Sequence, residues 1–407
     1  MRNFILFCLF VFISCSSHYS PKMEEVLQLA GNNRKELEKV LKHYSHNPSD
    51  SLKLQAAKFL IINMPGKYSE YYEASWSSVA TVYVRWTSSS DKRQVLDTYK
   101  LGKQVKRKDV ENVTAEYLIN NIDLAFRAWR KRPWGKHIPF DVFCEDILPY
   151  RVGTEPLENW REKALVCFAS MDSIFSQSAI STVEACGIIN DMLPRFRIDN
   201  DFPHMSFIQI MSSTRGTCDN MTALATFSMR ALGIPVSVEL TPKWVYHPTG
   251  HSWNAVRDSV GNYIPFMGAE SNPYYSHQAN MYRKSKVYRK TFAIQQNVPA
   301  ENVPSLLSKY QNIKDVSAEY EDLRDTVTIR LKYLPKASVK YVYLANKYRD
   351  RMYPVAWASI KKDSTVTFAS IGKEVSYFPL YYYANDMHTP ASEPFRIDQA
   401  GEMKIEN

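Results

Sequence analysis

Two residues near the middle of the chain are of the types that nucleophilic catalysis requires, a cysteine and a histidine. Cys218 ends the segment Arg215-Gly216-Thr217-Cys218, and His251 begins the segment His251-Ser252-Trp253-Asn254. A cysteine thiolate attacks a carbonyl carbon, and an imidazole beside it takes and returns the proton. Because a cysteine considered alone is more often a small buried apolar residue, the prediction depends on both residues occurring together and in this order.

The sequence around Cys218 predicts that this residue lies in the first turn of a helix. Apolar residues recur at three- and four-residue spacing between positions 221 and 232, and Gly233 ends the segment. Unpaired backbone N–H groups and the helix dipole favour a thiolate over a thiol at such a position. Residues 236–240 alternate as a half-buried strand does, and residues 251–256 alternate more loosely. The pattern predicts a Cys-bearing helix that packs on His-bearing strands.

Three segments, 215–218, 231–235 and 250–254, resemble the core of the transglutaminase-like superfamily, whose members are papain-like cysteine enzymes with a Cys-His-Asp triad. The resemblance covers about residues 200–275. It implies an α+β fold in which the helix that carries Cys218 packs on an antiparallel sheet, with His251 as the general base. The wider chain is similar, more weakly, to lipoproteins with transglutaminase-like domains of gut Bacteroides-type bacteria, through residues 36–41 and 149–152.

The third member of the triad is where this sequence departs from the family. The family's Asp follows the His on the neighbouring strand, and the matching phrase here, Tyr263-Ile264-Pro265-Phe266-Met267, has a methionine in its place. The nearest carboxylate is Glu270, and directly opposed residues of an antiparallel pair share a face. A turn centred between Val260 and Gly261 would place Glu270 opposite His251, whereas one centred at Ser259 would place Met267 there. Further candidates for the orienting group are Asn254 and Asp258.

The resemblance implies nucleophilic acyl transfer from a peptide or amide. The backbone N–H of Cys218 would donate to the oxyanion, with Gln209 as a weaker second candidate. Trp253 and Trp244 are weak candidates for contact with the substrate. Water as acceptor would make the protein a hydrolase of peptides, glycopeptides or cell-wall fragments, and an amine would make it a cross-linking enzyme. The alternative is a catalytically impaired module that binds a glycan or peptide, and Met267 favours that alternative. We expect no cofactor.

The first residues have the pattern of a bacterial lipoprotein signal. A short basic start precedes the apolar run of residues 4–13, which is too short to span a bilayer and is typical of a signal-peptide core. Ser14 and Cys15 follow, so Cys15 is the expected site of lipid attachment, although Phe12 stands where leucine is usual. The sequence therefore predicts a signal peptide over residues 1–15 and a protein tethered to a membrane of the bacterial envelope.

The remaining cysteines and the charge balance exclude several classes of site. The spacing between Cys144, Cys167, Cys186 and Cys218 is too wide for a zinc motif, so we expect no metal site. We also expect Cys218 to be a free thiol and the other three cysteines to be buried and inert. The net charge of +9 favours acidic glycans or lipid headgroups. The basic and aromatic run at 282–290 is interpreted as a solvated face, since an exported protein meets little nucleic acid.

The rest of the chain divides into a helical first part and a strand-rich last part. Helical periodicity covers residues 21–63, with a capping box predicted at Asn33 and Glu36, and returns near 115–130. We expect residues 21–290 to form one unit containing the core, 291–314 to be a linker, and 315–400 to form an antiparallel β-sandwich of about seven short strands. Aromatic residues of the sandwich are more often packing residues than sugar-binding ones.

Overall fold

The protein is described by a computed structural model of the 407-residue chain. The described residues are 19–406, apart from 82–102, 178, 196, 200–201, 275–282, 297–298, 300, 309, 311 and 336–338. The predicted signal segment and Cys15 lie outside the described residues, as does part of the basic and aromatic run at 282–290. No helix among the described residues has both the length and the hydropathy to cross a bilayer.

The first part of the chain is helical, with one small hairpin. Apolar residues on one face of each helix, such as Leu37 and Leu118, are fully buried in a single core that continues into the centre of the molecule. The helices are α1 (Pro21–Leu29), α2 (Arg34–Ser45), α3 (Ser51–Ile62), α4 (Asp109–Asn112), α5 (Ala115–Lys131) and α6 (Phe140–Asp146). The hairpin consists of β1 (Tyr68–Tyr72) and β2 (Gln104–Lys108).

The capping box predicted at the start of α2 is wrong. Asn33 precedes the helix, but its side chain makes no capping hydrogen bond and instead donates to the carbonyls of Val110 and Val113. Glu36 accepts a hydrogen bond from the backbone N–H of Ala115 at 2.8 Å, so it caps α5 rather than its own helix. The local sequence pattern of a capping box is present, but both side chains form hydrogen bonds with residues far away in the sequence instead.

The middle of the chain continues with short helices and ends in the helix that carries Cys218. These elements are α7 (Trp160–Cys167), α8 (Ala169–Gln177), α9 (Thr182–Met192), β3 (Arg197–Ile198), α10 (Phe207–Met211), β4 (Arg215–Gly216) and α11 (Cys218–Ala231). Almost every residue of α11 from Asn220 onward is buried. This helix therefore lies at the centre of the molecule, as the transglutaminase-like pattern predicts.

The sheet that packs on α11 has the strand order β7-β6-β5-β8-β9, and every neighbouring pair is antiparallel. Its strands are β5 (Val236–Thr241), β6 (His251–Arg257), β7 (Tyr263–Phe266), β8 (Tyr288–Lys290) and β9 (Ile313–Asp315). The segment 291–314, expected to be a linker, contains α12 (Ser305–Ser308) and ends inside β9. Pairing of β9 with β8 makes this segment part of the central sheet.

The last part of the chain is strand-rich. A larger sheet has the order β12-β11-β14-β16-β17, with β15 also pairing with β14, and β10 pairs with β13. Side chains of both sheets, including Ile329, Leu344 and Phe368, are buried in one core, which is the packing of a two-layer sandwich. The strands are β10 (Asp325–Arg330), β11 (Tyr341–Tyr348), β12 (Arg351–Ser359), β13 (Thr365–Ile371), β14 (Val375–Tyr382), β15 (His388–Pro390), β16 (Phe395–Ile397) and β17 (Met403–Ile405).

A buried ion pair ties the helical part to the loop that leads toward the centre. Arg151 donates to both carboxylate oxygens of Asp109, at 2.7 and 2.6 Å, and the two side chains are only 4% and 1% exposed. The same guanidinium donates to Ser69 Oγ on β1 and to the carbonyls of Gly153 and Glu155. One side chain therefore fixes a strand, a helix start and a loop relative to each other.

We expect Asp109→Ala to lower the free energy of unfolding by about 3–5 kcal/mol, because it leaves the buried Arg151 charge without its partner. Urea unfolding followed by tryptophan fluorescence measures the loss. Glu111→Ala is the matched control: it breaks an exposed pair with Lys108 nearby and should cost less than about 1 kcal/mol. Equal losses for the two variants would contradict the role given to the buried pair.

Candidate active site

Cys218 is the first residue of α11, and local sequence explains why the helix begins there. Thr217 precedes it in an extended conformation, and its hydroxyl accepts a hydrogen bond from the backbone N–H of Asn220 at 3.1 Å. This is a standard N-cap. The predicted position of Cys218 in the first helical turn is therefore the observed one, and its side chain is half-buried and free of any disulfide.

A polar junction joins the start of α11 to the start of β6. Ser252 Oγ donates to Asp219 Oδ1 at 2.8 Å, and the backbone N–H of Ser252 also interacts with the Cys218 thiol, lowering its pKa. Ser252 directly follows His251, so the sulfur of Cys218 lies against the peptide bond that links His251 to Ser252. Pairing of β6 with β7 begins only at Asn254, which leaves this end of β6 open on that side.

His251 is placed at the open end of β6, among aromatic rings. Side chains alternate along the strand: Ser252 and Asn254 bond to α11, whereas the His251 ring is stacked on Trp253, with 6.2 Å between centroids. Burial lowers the pKa of His251, and the charge of Asp219 opposes that shift. Its Nε2 is buried and has no hydrogen-bond partner among the described residues. The resting imidazole is therefore neutral at pH 7.

The expected thiolate at Cys218 is not what the structure favours in the resting state. Burial raises the pKa of the Cys218 thiol, and the neighbouring charge of Asp219 raises it further. The backbone N–H groups of Ser252 and Asp219 and the ammonium of Lys290 act in the opposite direction but do not outweigh burial. The position at the helix start was predicted correctly, but the prediction ignored the desolvation and the adjacent carboxylate.

Glu270 does not reach His251 as an orienting group. The observed register pairs Asn254 with Phe266, so continuing it to the start of β6 would place Ala269 opposite His251, a register that neither predicted turn provides. Strand pairing ends before that point, and residues 267–270 form a turn in which Ala269 has a φ of 59°. Glu270 is exposed, and the charge that acts on its pKa is that of Arg195.

Met267 occupies an apolar environment rather than one that could hold a carboxylate. It is 3% exposed and belongs to the same cluster of buried side chains as Trp244 and Trp253. The indole N–H of Trp253 donates to Tyr320, whose hydroxyl donates to Glu239. The position at which the family has its Asp is therefore packed among hydrophobic groups.

The weaker site predictions are not supported. Gln209 accepts a hydrogen bond from the backbone N–H of Ser206 at 2.8 Å and so caps α10. Trp253 is fully buried and Trp244 is nearly so, which leaves neither ring surface for a substrate. Asn254 bonds to Thr222 and Thr226 inside the α11 interface. Asp258 caps the turn at 260–262. The fold therefore uses each of these polar side chains, although Oδ1 of Asn254 is buried without a hydrogen-bond partner among the described residues.

Asp219 is the carboxylate that lies closest to the chemistry. Burial alone would raise its pKa, but Lys290, His204 and the hydrogen bond from Ser252 outweigh burial and hold the pKa well below its usual range. Lys290 donates to Asp219 Oδ1 at 3.0 Å. Asp219 is therefore anionic, and its charge acts on both Cys218 and His251. Nothing in the motif singles it out, since its one signal in the sequence is that it directly follows Cys218.

The other described cysteines are free and play no part in this site. Cys144 and Cys186 are buried, and burial raises the pKa of both thiols, as expected for inert groups. Cys167 is exposed at the end of α7, so its predicted burial is wrong. The described residues hold no group of three or more His, Cys, Asp and Glu side chains arranged for a metal ion.

Comparison with known families agrees with this geometry. Residues 182–267 match the family model described as the transglutaminase-like superfamily, and this range contains α11, β5, β6 and β7. The chain contains a transglutaminase-like domain. That domain begins at α9, before the expected start at residue 200, and its match ends at Met267. A comparison with curated proteins finds no match.

We expect Asp219→Asn to lower the pKa of the Cys218 thiol, because it removes an anion that disfavours the thiolate and frees the Lys290 charge. Iodoacetamide alkylation of Cys218 at pH 7.5, measured by peptide-resolved mass spectrometry, should be several-fold faster than in the wild type. Glu270→Gln is the control and should leave the rate unchanged. Slower or unaltered alkylation in Asp219→Asn would show that another group sets the thiol pKa.

Proposed function

We propose that the protein is a cysteine hydrolase that cleaves peptide or amide bonds by acyl transfer through Cys218 and His251. The observation that supports it most directly is the junction between Asp219 and Ser252. Each of these residues directly follows one of the proposed catalytic residues, so their hydrogen bond at 2.8 Å brings the starts of α11 and β6 together. The match to the transglutaminase-like superfamily spans both residues.

The reaction begins from a neutral pair. No hydrogen bond joins the Cys218 thiol to Nε2 of His251 in the resting structure, so the reaction requires the His251 ring to turn toward α11 as the substrate binds. The thiol then transfers its proton to the imidazole, and the sulfur–carbon bond to the substrate carbonyl forms. The backbone N–H of Cys218, at the first position of the helix, donates to the oxyanion. The imidazolium then returns the proton to the leaving amine, and water hydrolyses the thioester. The lowered pKa of His251 keeps the base unprotonated at neutral pH.

Asp219 would take the part that the family's triad Asp takes electrostatically, though from a different position. Its charge favours an imidazolium at His251, and its own ionisation is secured by Lys290 and Ser252. Proton transfer from Cys218 to His251 creates a positive charge within reach of this anion, which stabilises the ion pair relative to the neutral pair. Asp219 makes no hydrogen bond to the imidazole, so it stabilises the charge without orienting the ring.

A second candidate function is a transglutaminase-like module that binds a peptide or glycan without turning it over. Met267, buried beside Trp244 and Trp253 where the family has its Asp, favours it, because no carboxylate orients the ring. An imidazole without an orienting hydrogen bond is a weaker base, and the thiol pKa is raised as well. Turnover by the wild type decides between the two functions.

We expect Cys218→Ala to abolish hydrolysis and His251→Gln to reduce kcat about 10²–10⁴-fold, the usual contribution of a general base. A set of peptides, glycopeptides and cell-wall fragments incubated with the protein and followed by mass spectrometry measures the loss. Glu270→Gln should retain wild-type turnover. Turnover that survives Cys218→Ala would overturn the mechanism, and absence of turnover in the wild type would favour the binding module.

We further propose that the mature protein is lipid-anchored through Cys15 and acts in the bacterial envelope. The apolar run at 4–13 followed by Ser14 and Cys15 supports this. Cys15→Ala should abolish incorporation of radiolabelled palmitate and move the protein from the membrane fraction to the soluble one. Cys8→Ala is the matched control, since Phe7 precedes Cys8 where lipoprotein signals have a small residue. Labelling that persists in Cys15→Ala would contradict the anchor.

A further inference from the structure

A cavity of about 690 Å³ reaches Asp219, the residue that directly follows the proposed nucleophile. Asp219 and Lys290 line it on the side of the transglutaminase-like domain, and Tyr310 lines it close enough to Cys218 for their charges to interact. The opposite wall comes from Lys67 and the loop 151–154, which precede the matched range 182–267. The cavity is therefore completed by segments that this chain adds to the common core.

Most of the cations along this cavity already pair with a carboxylate or donate to backbone carbonyls. Lys290 pairs with Asp219 at 3.0 Å, and Arg151 pairs with Asp109 at 2.6 Å. Arg230 donates to the backbone carbonyls of Val236 and Glu145 and is buried in the interior. These bonds hold the walls of the cavity in place.

Lys67 differs from them, because among the described residues it has no carboxylate within ion-pair distance. Its Nζ donates to the carbonyls of Asn63 and Phe292, at 2.7 and 2.8 Å, and lies 4.2 Å from the centre of the Phe292 ring. An ammonium has three donors, so one is left after these two bonds. Burial lowers the pKa of Lys67 to about 8, while the charges of Glu145 and Asp109 act to raise it.

Glu145 and Asp109, the two carboxylates whose charges act on the pKa of Lys67, are engaged elsewhere. Glu145 accepts hydrogen bonds from the backbone N–H groups of Phe292 and Ala293, and Asp109 is bound by Arg151. Glu70 also lines the cavity, and it lies on β1 directly across from Lys106. A partly desolvated ammonium at the wall of an open cavity can bind an anion. A carboxylate placed there would accept a charge-assisted hydrogen bond from the third donor of the ammonium.

We propose that Lys67 binds a free carboxylate of the substrate, so that the protein selects peptides or amides carrying a carboxylate on the part that enters this cavity. The proposal rests on the proposed function, because the cavity adjoins Cys218. Lys67 acts as a specificity residue: it anchors the end of the substrate away from the scissile bond, and the reacting carbonyl is then held near α11. Phe292 screens the ion pair from water on one side.

This proposal is tested by measuring binding rather than turnover. A negative result here can therefore be distinguished from a failure of the proposed hydrolysis. A set of N-acetyl tripeptides, each prepared with a C-terminal carboxylate and as the carboxamide, is titrated against the full chain by ligand-observed NMR. We expect the carboxylate forms to bind about tenfold more tightly than the carboxamide forms, which is the gain in affinity expected from one charge-assisted hydrogen bond. Lys67→Met should remove the preference and Lys67→Arg should retain it. Lys53→Met, which removes an amine over the Tyr44 ring outside the cavity, should leave it unchanged.

A second measurement on the wild type avoids the effect of a substitution on folding. Since the pKa of Lys67 is lowered to about 8, its amine should be acylated by an N-hydroxysuccinimide ester at pH 8 faster than the exposed lysines. The carboxylate peptides should protect it and the carboxamides should not. Equal binding of the two peptide forms, no binding by either, or a preference that persists in folded Lys67→Met would each overturn the proposal. Loss of hydrolysis in Cys218→Ala has no bearing on these results.

Discussion

The hydrogen bond between Asp219 and Ser252 is the contact on which the arrangement of the site depends. It joins the first turn of the buried helix α11 to the first residues of β6, and Lys290 of β8 meets the same carboxylate oxygen. Three separate elements therefore converge on one anion. Asp219 is only partly buried, yet it lies close enough for its charge to act on both the neighbouring thiol and the imidazole. The structure places a fixed negative charge where proton transfer would create a positive one.

Hydrophobic packing around His251 limits what that imidazole can do. The rings of Trp244 and Trp253 lie against it, and its Nε2 is left without a partner among the described residues. A buried polar atom without a hydrogen bond is costly, so a proton donor arriving at this nitrogen would relieve that cost. Because the thiol and the imidazole are both neutral at rest, we expect the thiolate–imidazolium pair to form only when the substrate binds.

The segments outside the matched range provide more than support for the core. The buried pair of Arg151 and Asp109 holds the loop 151–154 against β1, and the Lys67 amine bonds to the carbonyl of Phe292 in the segment after β8. On the other side, Tyr288 of the core sheet stacks on Trp357 of the sandwich, with 5.5 Å between centroids. Of these additions, Lys67 and the loop 151–154 line the cavity that reaches Asp219.

The sequence by itself determined the elements whose signals are local. Helix periodicity places Cys218 at the start of α11, and alternation places His251 at the start of β6. Only the tertiary structure decided the register of β6 on β7, which depends on turn geometry, and with it the position of Glu270. It also decided that Ser252 and Lys290 meet the Asp219 carboxylate and that burial raises the thiol pKa, because these contacts and the desolvation come from residues far apart in the chain.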